Sequence, residues 1–145
     1  MLIGKPEIAR LIPHAGDMCL LDGVLSRDEA QICCITETHL WPDNPLRRDL
    51  RLGILCGIEY AAQAMALHAA LAVDGSAPPR RGYLASLRGV SCRDDRLDLL
   101  PGPLIVEAKR LVGDAGRMIY AFALRHENRV LLDGRAAVVL EPIMT

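Results

Sequence analysis

"ILCGIEYAAQAMALHAALAV", residues 54–73, decides the fold. Ile54, Ile58, Ala61, Met65 and Ala69 recur at spacings of three or four, the period of a helix, and nearly every other position is Ala or Leu. A helix that is apolar almost all round belongs inside a protein, covered on every side. "DGSAPPRR", residues 74–81, stops it with Gly75 and two prolines. One residue breaks the apolar run. A carboxylate there costs several kcal/mol to bury unless something pairs or uses it, which makes Glu59 the first candidate functional residue.

What lies on either side says what covers the helix. Upstream, "KPEIARLIPH" (5–14) predicts a short leading helix, with Pro6 tolerated near its start and Pro13 ending it. "MCLLDGVLS" (18–26) and "AQICCITET" (30–38) are apolar or β-branched stretches on either side of "RDE", and predict two paired strands. "HLWPDNPLRRDLRLG" (39–53) is rich in Pro, Arg and Asp and predicts an irregular excursion. Downstream, "GYLASLRGVSC", "PLIVEAKRLV", "RMIYAFALRHE" and "RVLLDGRAAVVLEP" predict about four strands, punctuated by "GDAG" and "EN". Gaps that short imply antiparallel neighbours. Two strands, a loop, one buried helix and four strands predict an α+β protein in which an antiparallel sheet curls around the helix. That is the hotdog fold. A ferredoxin-like alternative needs a second full helix among the later strands, and the sequence offers none. One domain over 1–145 is expected, long enough to bury a core.

Composition narrows the function. Hydrophobic residues make up 51% of the chain, which argues against disorder. A net charge of -1 gives no basic field, so nucleic acid is not an expected partner. No apolar run approaches the ~20 residues that span a bilayer, so no membrane insertion is expected. "MLIGKPEIAR" lacks the pattern of a signal peptide. The five cysteines are odd in number and lack a C-x-x-C spacing, which predicts reduced, mostly buried thiols rather than a disulfide frame or a zinc site. A cytoplasmic protein is expected.

Several stretches in order resemble a known family. "LIPHAGDMCLLDGVL" (11–25) resembles the opening of the 3-hydroxyacyl-acyl-carrier-protein dehydratases, and "GIEYAAQAMA" (57–66) is similar to their central helix, with Glu59 and Gln63 on its Glu and Gln. "YLASLRGVSCRDDRLDLLPGPLIVEAKRL" (83–111) is similar to the segment that follows, including Pro101 and Gly102. "NPLRRD" (44–49) followed by "GIEYAAQAMA" resembles the branch associated with aryl-polyene and related lipid pathways. The resemblance implies a hotdog homodimer and a thioester substrate carried on the phosphopantetheine arm of an acyl carrier protein. It also implies dehydration without metal or organic cofactor, in fatty-acid or polyene lipid biosynthesis. It implies a catalytic pair, a His from the loop before the central helix and the Glu on it, which are His39 and Glu59 here. The loop between the two is longer in this chain than in the dehydratase pattern.

Dehydrating a 3-hydroxyacyl thioester takes a base at Cα and an acid at the leaving hydroxyl, work that one titratable pair can share. The thioester carbonyl also needs polarising, and the start of a helix offers amides and a favourable dipole. Gly53, Leu55 and Cys56 are the candidates for that contact, with Gln63 one turn beyond Glu59 on the same side. An apolar setting is expected to raise the Glu59 pKa. His14 sits in a Pro-His turn that the family uses near its substrate tunnel, as packing more than chemistry. Arg47, Arg48 and Arg51 are the candidate contacts for an acidic carrier protein or its phosphate, against the ordinary fate of a solvated rim. His68, on the opposite side of the helix, is expected to be structural, His126 solvated, and Cys56 a small core thiol. One Phe, one Trp and three Tyr leave any tunnel to aliphatic side chains. Two alternatives stay open: an acyl-thioester hydrolase in which Glu59 activates water, and a non-catalytic hotdog subunit that partners an active dehydratase or a ketosynthase.

Overall fold

The computed structural model describes residues 1–12, 16–72, 82–114 and 116–141. In chain order the strands are β1 (Ile3–Gly4), β2 (Gly23–Arg27), β3 (Gln31–Thr36), β4 (Gly82–Cys92), β5 (Leu104–Gly113), β6 (Arg117–His126) and β7 (Arg129–Leu140). Two α-helices accompany them, α1 (Lys5–Leu11) and α2 (Gly57–Leu71), and the 3-10 turn Ile54–Cys56 leads into α2. All seven strands form one antiparallel sheet in the order β1-β2-β3-β5-β6-β7-β4. The sheet curls around α2, which is the hotdog fold.

The register shows how the core is made. Val24 pairs with Cys34, Cys34 with Val106, Val106 with Leu124, and Leu124 with Leu132, so one apolar row crosses five strands. All five are fully buried. The helix lies close over this row: a Cβ placed on Gly57 would come within 2.8 Å of Leu124 Cδ2 and Leu132 Cδ2. Glycine is what lets helix and sheet approach there. Tyr60, Ala61, Ala64, Met65 and Leu67 complete the buried side of α2. Ile54–Leu71 is more apolar than expected from the sequence: at 18 residues and a mean hydropathy of 1.3 it is long and apolar enough to cross a membrane. Half of that stretch is buried by the chain's own sheet and loops, the place a core helix occupies.

The two edges of the sheet differ. β1 is two residues long, too short to template further pairing. β4 is eleven residues long, pairs with β7 alone among the described residues, and is exposed along nearly all of its length. Its register with β7 shifts twice, and Gly89 takes a φ of +60° within the second shift, a conformation that side chains disfavour. Tyr83, Leu84 and Leu87 are large exposed apolar residues on this strand. The cysteines are less buried than expected: Cys19 and Cys34 are buried, Cys33 and Cys56 half-buried and Cys92 exposed.

Candidate active site

Glu59 stands in the first turn of α2 and lines a cavity of 210 Å³ with Ala62, Ala66, Gly82, Tyr83, Leu84 and Val138. The helix supplies the i, i+3 and i+7 positions of one face, and small side chains at 62 and 66 keep the space open beside the carboxylate. The other wall is the start of the β4 edge strand and the end of β7. The cavity is therefore largely apolar, with one carboxylate in its lining, and lies beside the strand that ends the sheet among the described residues. Apolar lining matches the expected shortage of aromatics, Tyr83 excepted.

His39 is also buried, at 0% exposure, in the 3-10 turn Thr38–Leu40 that follows β3. Its Nε2 lies 2.9 Å from the Leu100 carbonyl, while Nδ1 is buried without a hydrogen-bond partner among the described residues. A carbonyl oxygen only accepts, so the proton belongs on Nε2 and a free basic lone pair remains on Nδ1. Burial pushes the imidazole below its ordinary pKa of 6.5 against the opposing pull of the Leu100 hydrogen bond. The ring is thus held neutral, as a base must be. His39 is not among the residues that line the Glu59 cavity in the single chain.

The remaining expected site residues go to different places. His14 lies outside the described residues. Gln63 is fully buried and does another job: its Oε1 accepts from Leu20 N–H at 2.9 Å and its Nε2 donates to the Met18 carbonyl at 2.6 Å. Its amide clamps the 18–20 segment against the helix rather than facing the Glu59 cavity. At the helix start, Ile54 N–H is taken by the Asp95 carbonyl and Cys56 N–H by that of Gly53. The amides of Ile54 and Cys56 are therefore spent, which leaves Gly53 and Leu55 as the main-chain candidates. The Cys56 thiol donates weakly to the Leu46 carbonyl and burial raises its pKa, which disfavours a thiolate. Arg47 is folded into the loop and has all three donor nitrogens on carbonyls, those of Trp41, Leu50 and His39. Only Arg48 and Arg51 of the three arginines face solvent. His126 binds the Pro101 carbonyl at the exposed end of β6.

A buried polar belt, which the sequence pattern does not reveal, fixes this region. Thr36 and Thr38 hydroxyls both donate to the Leu20 carbonyl, at 2.5 and 2.7 Å. The Tyr60 hydroxyl lies 2.8 Å from Thr38 Oγ1 and accepts from Asn44 Nδ2 at 3.0 Å. Asn44 also donates to the Thr38 carbonyl. These bonds join the end of β3, the following loop and α2, and leaving any one member unpaired would cost about 1–3 kcal/mol. His68, as expected, is structural: buried, with Nδ1 2.8 Å from the Tyr120 hydroxyl and Nε2 3.0 Å from the Asp28 carbonyl.

Burial lowers the pKa of both His39 and His68. Below about pH 6.5 the unfolded chain therefore takes up protons that the folded chain resists, so stability falls as pH drops through that value. Above it both states are neutral and this dependence vanishes. Urea midpoints at pH 7.5 and 5.5 are expected to show the lower stability at 5.5, and His68→Gln to reduce the difference. Equal midpoints for both proteins would contradict the two buried neutral rings.

The dehydratase heterocomplex ApeI:P from Xenorhabdus doucetiae contains a chain that is 21% identical, with a TM-score of 0.78 over 93% of this chain and 91% of that one. Zebra fish thioesterase superfamily member 2 is 11% identical, with a TM-score of 0.64 over 94% of each chain. A mutant thioesterase from Pseudomonas aeruginosa is also 11% identical, with a TM-score of 0.60 over 83% of this chain and 81% of that one. Identities this low establish the shared hotdog fold and no more. No curated protein matches the chain. A family model described as "ApeP-like: ApeP dehydratase" matches residues 6–143, nearly the whole sequence, and the chain therefore belongs to the ApeP-like dehydratase family.

Proposed function

We propose that this chain is the dehydratase of 3-hydroxyacyl thioesters borne on acyl carrier protein, with His39 and Glu59 as its acid–base pair. The observation that carries the proposal is His39: a buried neutral imidazole whose Nε2 is tied to a main-chain carbonyl and whose Nδ1 keeps an unshared lone pair. Nδ1 removes the proton at C2 of the substrate. The C3–O bond then breaks as the Glu59 carboxyl gives its proton to the departing hydroxyl, releasing water and a 2-enoyl thioester. Gly53 and Leu55 amides at the start of the helix polarise the thioester carbonyl as charge builds on its oxygen.

A second chain completes the site in this proposal. The Glu59 cavity, at 210 Å³, is smaller than the about 300–1,000 Å³ of ligand pockets, and its wall includes β4, the edge strand of the sheet among the described residues. Pairing two β4 strands across a two-fold axis covers that edge with its exposed Tyr83, Leu84 and Leu87, and brings a partner's loops to the cavity. His39 of one chain then serves Glu59 of the other. His39 has no exposure in the isolated chain. Arg48 and Arg51 are the contacts proposed for the acidic carrier.

The same burial favours a second function, that of a non-catalytic subunit paired with an active dehydratase. The ApeI:P structure is a heterocomplex, which is compatible with a different chain on the β4 edge. Incubating the purified protein with 3-hydroxyacyl-carrier and enoyl-carrier thioesters distinguishes the readings. Dehydration and hydration support the proposal, and release of free carrier thiol indicates a hydrolase. No reaction by the chain alone, with turnover appearing on addition of a second hotdog protein, indicates the subunit role.

A further inference from the structure

We propose that Arg47 and Asp98 act together as positioning residues that fix the place and tautomer of His39, an inference resting on the role proposed for His39 above. His39 is held at two points. Arg47 Nη2 donates to its main-chain carbonyl at 3.1 Å, and its ring Nε2 meets the Leu100 carbonyl at 2.9 Å. Both holders lead to Asp98. Arg47 Nη1 lies 3.9 Å from Asp98 Oδ2, and Leu100 belongs to the same turn, where its N–H donates to the Leu97 carbonyl at 3.2 Å.

Asp98 is itself immobilised. Its side chain is 5% exposed. Oδ1 accepts from Leu52 N–H at 3.0 Å and from Arg96 Nε at 3.1 Å, and Oδ2 accepts from Arg96 Nη2 at 2.5 Å. Two further main-chain bonds fasten the same turn to the start of the helix, Leu97 N–H to the Leu52 carbonyl and Ile54 N–H to the Asp95 carbonyl. One carboxylate thus links three things: the loop that carries His39, the start of α2, and the turn whose carbonyl sets the proton on Nε2.

An exposed ion pair would be worth about 0–1 kcal/mol and would position nothing. This one differs because its side chains are only 15% and 5% exposed and the same guanidinium also binds main-chain carbonyls. Arg47 spends Nε, Nη1 and Nη2 on the carbonyls of Trp41, Leu50 and His39, and only a planar fork reaches all three. If Leu100 drifts from the ring, nothing keeps the proton on Nε2, and the basic lone pair is no longer reserved on Nδ1. A misplacement of about 1 Å at a reacting group costs on the order of 10²-fold in rate.

The test uses the full chain labelled with ¹⁵N-histidine, with the His39 signals assigned by His39→Gln. Wild type is expected to show the Nε2–H tautomer alone at His39. Arg47→Gln and Asp98→Asn are expected to show mixed tautomers there while His68 is unchanged. In both, kcat on the carrier-bound 3-hydroxyacyl thioester is expected to fall about 10²-fold at constant KM. Arg47→Lys is expected to behave like Arg47→Gln, since one ammonium cannot serve three carbonyls. A folded Arg47→Gln that keeps the pure Nε2–H tautomer overturns the inference. A changed tautomer in a protein whose wild type shows no turnover upholds the positioning and overturns the proposed reaction instead.

Discussion

Glu59→Gln is expected to lower dehydration by about 10²–10⁴-fold, the range for losing a general acid or base, while leaving the fold intact. Glutamine keeps the shape and hydrogen-bonding capacity of the side chain and removes only its titrating proton. Its wall of the cavity includes Ala62, Ala66 and the start of β4. Turnover of a carrier-bound 3-hydroxyacyl thioester, measured beside a thermal melt, checks both halves. Full turnover in the folded variant would remove Glu59 from the chemistry. Loss of folding would assign the carboxylate a structural role.

The second large effect concerns His39. His39→Gln retains a donor for the Leu100 carbonyl and removes the basic nitrogen, so turnover is expected to fall by a similar factor of about 10²–10⁴. Alanine is the poorer probe here. It would leave a void and an unpaired buried carbonyl, a loss of about 1–3 kcal/mol from the carbonyl alone, and would confuse stability with chemistry. Enoyl-thioester hydration followed by the loss of enoyl absorbance provides the reading. An active His39→Gln would mean that the proton at C2 is removed by something else.

The sequence made the architecture legible because its signals are local. Residues 54–71 carry a helical period with few interruptions, and the later strands are bounded by turn residues such as "GDAG" and "EN". β1 escaped notice because two residues show no alternation. The strand expected from Met18 begins only at Gly23, since Met18 and Leu20 bond to Gln63, and Cys19 and Asp22 to Lys5. Their apolar character signalled burial but not strand.

The site was legible in part, for the same reason. Glu59 stood out as a charge within an apolar helix. His39 was marked by resemblance rather than by any pattern of its own. Gln63 shares the helical side with Glu59 by spacing, yet its amide turns to a segment more than forty residues away in sequence. Arg47 read as one of three basic residues because nothing local shows that its donors end on three carbonyls. Asp98 and Asn44 gave no signal at all: each bonds to main-chain groups distant in the fold or sequence as well as to side chains, and no local sequence pattern displays such partners.

His39 and Glu59 are expected to act together only when two chains combine. Two differently tagged chains, one carrying His39→Gln and the other Glu59→Gln, can be coexpressed and the mixed pair isolated through both tags. If the site is shared across the interface, one of its two sites retains an unaltered His39 and an unaltered Glu59. The mixed pair is then expected to recover roughly half of the wild-type turnover. A mixed pair as inactive as either parent would contradict the claim.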